Sequence, residues 1–545
     1  MRHLRTGRRS RSPRRQTPCR SRTVRSVVIW IVRGVTVHRE REQWGTRAGF
    51  LMAAVGSAVG LGNIWRFPYV AYDNGGGAFL LPYLVALLTA GIPLLVLEYT
   101  IGHRYHGSPP LAFRRLHRRA GVLGWWQVAI CVVIAAYYAV IIAWAARYAG
   151  FSVGQDWGDD PEAFLLGDFL QVGDAGWITS YVSGVLWPLV AVWVFVLAVL
   201  ALGVRRGIER ANRFFIPLLV ALFLVLVVRA LFLDGAAQGL EALFAPDWGA
   251  ITDGTVWVAA YGQIFFSLSV GFGIMITYAS HLHRRSDLTG SALVAGFANS
   301  SFEILAGIGV FATLGFMATA SGVAVADVAQ SGVGLAFIAF PEIISTLTSG
   351  AGLFGVLFFV SLVIAGVTSL ISIVQVVVSA VQDRTGMARL PAVLTVGGGI
   401  ALISIVLFPT AQGLHYLDVA DHFINQYGIV LAAFVVVLVV AWALRRLPAL
   451  RAHANLTSTV RLGAWWQVAL GLVTPVMLGW MLWDSLRQEF EENYGGYSDG
   501  FLLAVGWGVA IGALVVGVLL SLFPWRDRDT FVPAELETVG GRERA

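Results

Sequence analysis

The sequence contains no lysine and little charge of any kind. All 39 basic residues are arginine, and charged residues make up 13% of the 545-residue chain against 57% hydrophobic residues. This composition excludes a soluble multidomain protein and is typical of a polytopic membrane bundle. Cysteine is also scarce, because only Cys19 and Cys131 occur, far apart in the chain. Their spacing argues against a disulfide framework and against a metal site.

The net charge of +7 hides an uneven distribution. Twelve arginines and no acid fall within residues 1–39, which leaves 27 arginines against 32 acids, a balance of −5, for the remainder. Residues 1–39 are interpreted either as a disordered basic tail or as the product of a mis-called start. A nucleic-acid-binding arm is disfavoured. The apolar run RSVVIWIVRGV within this segment is too short to span a bilayer, which needs about 20 residues.

Twelve apolar segments are long enough to cross a bilayer. They lie near residues 46–72, 77–103, 123–149, 180–204, 209–233, 256–283, 290–318, 351–383, 390–410, 415–444, 463–484 and 500–523. The loops after segments 2, 4, 6, 8 and 10 are rich in arginine, whereas alternate loops are acidic. The positive-inside rule therefore predicts that both termini are cytoplasmic. We expect one membrane domain at 40–525, grouped as 46–233, 256–444 and 463–523, and a cytoplasmic tail at 526–545.

Two longer loops on the predicted outer side interrupt this pattern, at 150–178 and 319–350. The second is too polar to span the membrane but apolar enough to cover the protein from outside. It is either a plain surface loop or a lid over an access path, and the lid is favoured.

Segments 1 and 6 are each interrupted by glycine-rich sequence. The interruptions are SAVGLGN at 57–63 and SLSVGFG at 267–273, which correspond if the first ten segments divide five and five. Paired interruptions of this kind point to an inverted-repeat transporter. Unwinding frees backbone carbonyls for a cation, and the half-helix that follows offers N–H groups to an anion. Backbone groups without helical hydrogen bonds occur at membrane depth only where they line a cavity enclosed by the protein.

Two simpler interpretations of the first interruption remain weaker. Gly56 and Gly60 have the spacing of a helix-packing motif, which is compatible but does not explain Asn63, Arg66 and Pro68 directly afterwards. A nucleotide-binding glycine loop fails because no strand precedes it.

The stretch AVGLGNIWRFPYVAYDNGGGAFLLPY resembles the helix 1–helix 2 signature of the neurotransmitter:sodium symporter family. GQIFFSLSVGFG resembles the broken helix 6 of that family, and AGVTSLISIVQ resembles its helix 8. The resemblance runs from Arg41 to the end of segment 10, and the last two segments are compatible with it. It implies an all-α integral membrane protein of twelve transmembrane helices, with a five-plus-five inverted repeat and unwound helices 1 and 6.

The resemblance implies two sodium ions as coupling ions and no organic cofactor. Sodium is a hard cation that favours oxygen ligands. The first site would use the carbonyl of Ala58 and the side chains of Asn63, Ser267 and Asn299. The second would use the carbonyls of Gly56, Val59 and Ala365 and the hydroxyls of Thr368 and Ser369. The alternative for these two hydroxyls is that they bond back to their own helix.

The resemblance also implies an amino-acid substrate between the two interruptions. Its carboxylate would meet the N–H groups of Leu61 and Gly62, the hydroxyl of Tyr138 and the first sodium. Monoamine carriers of the family place aspartate at the position of Gly60, so glycine here predicts a substrate with its own carboxylate. The substrate site would also include Ala58, Ile134, Phe266, Ser269, Phe272, Ser369 and Ile373, which suits an apolar or aromatic side chain. Aromatic residues in a bundle otherwise serve mostly as core.

Glu303 carries separate information, because a carboxylate within a membrane segment costs roughly 2.5–3.5 kcal/mol on insertion scales. Chloride-dependent relatives have serine at this position, and their chloride lies beside residues matching Tyr83, Gln263 and Ser267. The glutamate therefore predicts chloride independence. Glu303 is expected to be ionised when sodium is bound, and its protonation on the return step is left open.

Charge pairs are expected to gate the site, since water-accessible pairs have a small net energy and can separate. Arg66 would face Asp421 above Phe266 on the outside. On the inside, Arg41 and Trp44 would close against Asp383. An ordinary solvated surface fits Arg41 and Asp383 better than it fits Arg66. His281 replaces a tyrosine that the family often uses near the inner gate, so inner closure is expected to differ and to gain pH sensitivity.

The predicted function is a sodium-coupled symporter that imports an amino acid across the cell membrane by alternating access. No catalytic motif is present, so an enzyme is not expected. The expected partners are the amino acid, sodium and the lipid bilayer, without nucleic acid; a homodimer, the stoichiometry and proton counter-transport are left open. Two alternatives stay open: a non-transporting sensor or channel-like protein on this scaffold, and a proton- or betaine-coupled carrier of the wider superfamily.

Overall fold

The computed structural model describes residues 41–525 except 329–331 and 348. The predictions for residues 1–39, including Cys19, and for the tail at 526–545 lie outside the described residues. So do small parts of the second long loop. The site discussed below lies within one compact unit, which begins at Glu42.

Helices dominate the described part of the chain. Ten of them are long and apolar enough to cross a membrane, and a bent pair forms an eleventh span. The bent pair is α1, whose halves Arg47–Ala58 and Leu61–Asp73 are inclined by 58°. The ten other spans are α2 (Gly77–Tyr105), α3 (Arg118–Gly154), α4 (Ser183–Ala201), α5 (Val204–Leu231), α7 (Leu288–Ser321), α8 (Ala351–Thr385), α9 (Arg389–Leu407), α10 (Gly413–Ala443), α11 (Ala464–Gly496) and α12 (Asp499–Leu522). Between α5 and α7 lies the interrupted α6, whose two shorter halves are Gly254–Ser267 and Ile274–Ala279.

The interruptions in α1 and α6 follow from backbone conformation. The first half of α1 ends at Ala58 because Val59 and Gly60 are extended, with ψ of 94° and −166°. In α6 the left-handed region is occupied by Ser269 (φ 53°), Gly271 (φ 95°) and Gly273 (φ 85°). Glycine adopts this conformation without strain, whereas Ser269 does so at a cost that the surrounding contacts must offset.

The core of the bundle lies along α3 and α8, which are the most buried spans and pack along each other. Both halves of α1 and the second half of α6 pack against α8. The outer helices expose apolar side chains instead, as Ile511, Val515 and Leu519 of α12 do. An apolar exterior around a buried interior suits a protein solvated by lipid.

The described part of the second long loop packs over α1 and α3. Its helix Gly332–Thr346 places the ring of Phe337 5.0 Å from that of Tyr148 and 6.4 Å from that of Trp65. The indole N–H of Trp157, in the first long loop, donates to Ser345 Oγ at 2.8 Å. The two loops therefore form one cover beside the second half of α1, and the lid role of this cover stays a prediction.

Candidate functional site

The interruption of α1 leaves three buried carbonyl groups without a hydrogen bond from any described residue. They belong to Gly56, Ala58 and Val59. In a continuous helix the N–H of Gly60 would bond to Gly56, but it donates to Asn63 Oδ1 at 2.9 Å instead. Buried carbonyls without partners are costly unless another group, such as a cation, uses them.

A chain of polar side chains starts at this interruption and connects three helices. Asn63 Nδ2 donates to Asn299 Oδ1 at 2.9 Å, and Asn299 Nδ2 donates to Ser267 Oγ at 3.1 Å. All three side chains are buried. The structure therefore brings together the side chains predicted for the first sodium site, and their amide and hydroxyl oxygens are ligands that a hard cation accepts.

The predicted second sodium site lies where α8 faces the same interruption. Thr368 Oγ1 is 3.0 Å from the carbonyl oxygens of both Ile364 and Ala365, so its hydroxyl bonds back to its own helix. Its lone pairs remain available, and both interpretations of this residue fit the structure. Ser369 Oγ donates to the carbonyl of Ser57 at 3.3 Å.

The carbonyl of Ser57 was not identified from the sequence. It accepts from Ser369 of α8 and also from Ser269 Oγ, in the interruption of α6, at 2.8 Å. One carbonyl of α1 thus connects the two interruptions to α8. No sequence signal distinguishes this carbonyl from its neighbours, because the donors come from distant helices.

The start of the second half of α1 presents backbone N–H groups to the same centre. Leu61 N–H donates to Tyr138 Oη at 3.2 Å, and Gly62 N–H donates to no described residue. A Cβ atom on Gly60 would lie 3.1 Å from Tyr138 Oη and 3.6 Å from Ser369 Oγ. The position next to Gly60 is therefore bounded by α3 and α8, and the N–H groups favour an anion there.

The predicted apolar pocket residues lie around this position. Ile134 stands one turn before Tyr138 on α3, and Ile373 stands one turn after Ser369 on α8, so each shares a face with its polar neighbour. The carbonyl of Phe272 accepts from Cys131 Sγ at 3.2 Å, which places the α6 interruption against α3. Cys131 is a buried free thiol with this packing contact.

Gly62 is expected to tolerate no side chain. A Cβ atom there would lie 2.3 Å from Phe266 Cε1, so Gly62→Ala must displace the ring that covers the pocket. Overpacking of this kind costs about 2 kcal/mol, which corresponds to roughly 30-fold in affinity. We expect the half-saturating substrate concentration for uptake to rise by roughly 30-fold. Gly512→Ala is the control, because a Cβ at Gly512 meets nothing within 4 Å; equal affinities in the two variants would contradict the prediction.

Glu303 lies fully buried in a cluster of polar side chains. It accepts hydrogen bonds from the hydroxyl of Tyr83 and from Gln263 Nε2, the latter at 2.6 Å. Ser267 lies beside the carboxylate, and its Oγ accepts from Asn299 Nδ2 at 3.1 Å. The residues predicted to surround a chloride position are therefore gathered around the glutamate, directly beside the side chains of the predicted first sodium site.

Two further buried side chains hold the interruption of α6. Glu98 Oε1 accepts from the N–H of Gly271 at 2.8 Å, and Gln127 Nε2 donates to the carbonyl of Gly271 at 2.8 Å. Glu98 was not identified from the sequence. The argument that identified Glu303, the cost of a carboxylate in an apolar segment, applies equally to Glu98. These contacts give hydrogen-bond partners to the N–H and the carbonyl of Gly271, which would bond within the helix if α6 were continuous.

The predicted outer gate is partly assembled. The guanidinium of Arg66 lies 4.7 Å from the centre of the Phe266 ring, a cation–π contact above the pocket. Asp421 accepts from Asn425 Nδ2 at 2.8 Å. Among the described residues no ion pair within 4.0 Å joins Arg66 to Asp421, although their charges attract each other. Pairing of Arg66 with Asp421 stays a prediction.

The opposite end of the bundle is closed around Trp44, which is buried. Its indole N–H donates to the carbonyl of Tyr278 at 2.9 Å, and its backbone N–H donates to the carbonyl of His281 at 3.1 Å. His281 Nδ1 lies 2.6 Å from the carbonyl oxygen of Glu42. Asp383 accepts from the N–H of Ser108 at 2.7 Å.

Arg41 ends the other compact unit of the chain, so its predicted pairing with Asp383 stays a prediction. His281 stands where the family often has tyrosine. In this structure its ring bonds the chain segment that precedes α1, a role that a titratable side chain can make sensitive to pH.

A histidine pair on the same end gives a testable pH dependence. His103 Nδ1 lies 3.0 Å from His453 Nε2, in the loop between α10 and α11. Burial and the neighbouring positive charges of His103 and Arg104 lower the pKa of His453 to about 3. An unfolded chain takes up this proton near pH 6.5. The native state therefore loses stability as the pH falls from about 6.5 towards 3, and this group has no effect above that window.

We expect His453→Gln to remove that acid-dependent loss. For the wild type, one unmatched proton gives a slope of up to about 1.4 kcal/mol per pH unit in the window. The measurement is the unfolding temperature in detergent between pH 4 and pH 8. His117→Gln, at an exposed histidine, should keep the wild-type profile. Parallel profiles for His453→Gln and wild type would show that His453 is not the titrating group.

An all-helical membrane bundle with two interrupted helices around a polar centre has the architecture of an inverted-repeat secondary transporter. The chain belongs to the Sodium:neurotransmitter symporter family, whose model matches residues 41–160 and 159–527. It is 42% identical over 490 residues to an uncharacterized sodium-dependent transporter of Methanocaldococcus jannaschii, covering 89% of this chain and 98% of that protein.

Two further relatives carry more descriptive names. The chain is 28% identical over 541 residues to the sodium- and chloride-dependent neutral and basic amino acid transporter B(0+) of Mus musculus, covering 87% and 83% of the two chains. The crystal structure of MhsT in complex with L-phenylalanine superposes with a TM-score of 0.68 at 32% identity, covering 82% of this chain and all of that one. The predicted all-α membrane fold is thereby confirmed. The protein is a sodium-dependent transporter and not an enzyme.

Proposed function

We propose that the protein imports an amino acid together with two sodium ions, by alternating access and without chloride. One observation carries this proposal. Within seven residues, α1 offers the carbonyls of Gly56, Ala58 and Val59, which no described residue uses, and then the N–H groups of Leu61 and Gly62. A sodium ion and a carboxylate bound at these adjacent groups attract each other, so each strengthens the binding of the other.

An amino acid with an apolar or aromatic side chain suits the remaining space. Gly60 supplies no carboxylate of its own, while Ile134, Phe266, Phe272 and Ile373 offer an apolar surface. The L-phenylalanine in the crystal structure of MhsT supports this class of substrate. Burying the side chain against these residues contributes to binding roughly in proportion to the apolar area removed from water.

Glu303 is proposed to supply the negative charge for which chloride-dependent relatives need chloride. It is fixed by Tyr83 and Gln263, and it lies beside Ser267 of the predicted first sodium site. A carboxylate at this position balances sodium without an added anion. Uptake is therefore expected to continue when chloride is replaced by gluconate.

Alternating access would use α1 and α6 as the moving parts, since both are bent or unwound at the centre and can change angle there. Trp44 closes one end, which the arginine-rich loops assign to the cytoplasm together with both termini. Arg66 and Phe266 cover the pocket from the other end. This arrangement fits a carrier in the cell membrane.

Uptake of labelled amino acids into proteoliposomes tests the proposal. Accumulation above the external concentration that requires an inward sodium gradient, and persists in gluconate, is the expected result. Binding without accumulation would favour a sensor, and sodium-independent equilibration would favour a channel. Uptake driven by a pH gradient in choline would favour a proton-coupled carrier. Phenylalanine and leucine are the first substrates to test, and glutamate and arginine are the controls for side-chain class.

A further inference from the structure

Asn212 is a polar residue in the apolar face of α5. The buried face of this helix includes Ile216, Leu219 and Phe223, which follow Asn212 at intervals of four, three and four residues. Asn212 is 0% exposed. A buried amide in such a stripe must find partners for both of its polar atoms or lose stability.

Only one of these atoms has a partner. Asn212 Nδ2 donates to the carbonyl of Ile208 at 2.9 Å, whereas Oδ1 is buried and accepts no hydrogen bond. The orientation of the amide follows from this bond, because a helix carbonyl can only accept and must face the NH₂ group. The oxygen is therefore the atom that points away from α5.

The unpartnered oxygen lies against Gly56 of α1. A Cβ atom on Gly56 would fall 2.3 Å from Asn212 Oδ1, so only glycine permits this approach. The carbonyl of Gly56 also accepts no hydrogen bond from the described residues. Two residues that touch across neighbouring helices thus each carry a buried oxygen without a donor, which is costly unless a cation or a donor lies with them.

Both residues stand at the same depth in the bundle. Glu42, five residues before α1 begins, accepts from the N–H of Val204 at 2.9 Å, so α1 and α5 start at the same end. Gly56 lies nine residues into α1 and Asn212 eight residues into α5, which is about 12–14 Å of helix rise in each case. Gly56 and the amide oxygen of Asn212 therefore lie together on the level of the predicted second sodium site.

We propose that Asn212 Oδ1 is a further oxygen for sodium at the second site, acting beside the carbonyl of Gly56. The inference rests on the proposed function, because it presumes that sodium binds there. An amide oxygen suits a hard monovalent cation, and its neutral charge leaves the ion free to leave the site in each transport cycle. The alternative role is packing, with the oxygen in a weak contact to the Cα–H of Gly56.

Substitutions of opposite effect test this inference. Asn212→Asp places a full negative charge beside the cation and should lower the half-saturating sodium concentration, whereas Asn212→Ala removes the oxygen and should raise it about tenfold. Asn212→Ser keeps an oxygen on a shorter side chain and should lie between Asn212→Ala and wild type. The measurements are the sodium dependence of uptake at pH 8 and of the unfolding temperature in detergent, with choline keeping the ionic strength constant.

Ser404→Ala is the matched control, since Ser404 is equally buried but donates to the carbonyl of Ala136 at 2.6 Å on α3. It should lower the unfolding temperature without changing the sodium dependence. If all three Asn212 variants behave like this control, the residue serves packing and the inference is overturned. A wild type that shows no response to sodium would instead overturn the proposed function together with this inference. If Asn212→Asp does not fold, the Ala and Ser variants decide the matter alone.

Discussion

Glu303→Ser protein should lose sodium-driven uptake in gluconate and recover it in chloride. In the wild type the carboxylate is fully buried and held by Tyr83 and Gln263, next to Ser267 and Asn299. Removing one partner of a buried charge arrangement costs about 3–5 kcal/mol, because the remaining charge is left uncompensated. That corresponds to a loss of roughly two to three and a half orders of magnitude in rate or affinity.

Serine is smaller than glutamate and leaves room for a chloride ion where the carboxyl group was. The hydroxyls of Tyr83 and Ser267 and the amide of Gln263 would donate hydrogen bonds to that ion. The measurement is initial uptake into proteoliposomes at a series of chloride concentrations, with sodium held constant. Glu303→Gln is the control, because it removes the charge but fills the space; it should be inactive in both media. Full uptake by Glu303→Ser in gluconate would show that Glu303 does not balance the charge of sodium.

Gly60→Asp protein should lose amino-acid uptake by about two orders of magnitude. The backbone at Gly60 is extended, with φ of −119°, so any residue can adopt it. The new side chain would point towards Tyr138 Oη and Ser369 Oγ, at 3.1 Å and 3.6 Å from its Cβ atom. Its carboxylate would then occupy the position assigned to the carboxylate of the substrate, and like charges placed together cost several kcal/mol.

The neutral variants Gly60→Ala and Gly60→Asn separate charge from volume. Both add the Cβ atom and should retain more uptake than Gly60→Asp. The aspartate variant should also gain binding of the amine that corresponds to each amino acid without its carboxylate, such as phenethylamine for phenylalanine. A competition assay against labelled amino acid and a sodium-dependent thermal shift with the amine measure these effects. Equal losses in all three variants would indicate that volume, not charge, decides.

The architecture of the bundle could be predicted from local sequence. All twelve predicted segments correspond to helices or interrupted helices of the structure, with most ends shifted by a few residues, as at Gly154 of α3, and the end of α11 shifted by twelve. Hydropathy and glycine content are properties of one stretch of chain at a time. For that reason the interruptions at 57–63 and 267–273 were also predictable.

Most of the site residues could be predicted from the sequence, but the hydrogen bonds between them could not. Resemblance named Asn63, Asn299 and Ser267, and the structure joins them by hydrogen bonds. Neither pattern nor resemblance indicated Ser57 or Glu98, because their partners come from α6 and α8, hundreds of residues away in some cases. Asn212 was passed over for a related reason, since nothing in α5 shows that its amide oxygen lies against Gly56 of α1.

The sequence by itself determined that this chain is a helical membrane protein, where its helices are broken, and which family its motifs match. Those properties depend on composition and on neighbours along the chain. Only the tertiary structure decided which buried oxygens have donors and which do not, as at Gly56 and Asn212. The physical reason is that a buried polar group has or lacks a hydrogen-bond partner according to the side chains and backbone that pack against it. In this protein those neighbours come from α1, α5, α6 and α8, which are far apart in the sequence.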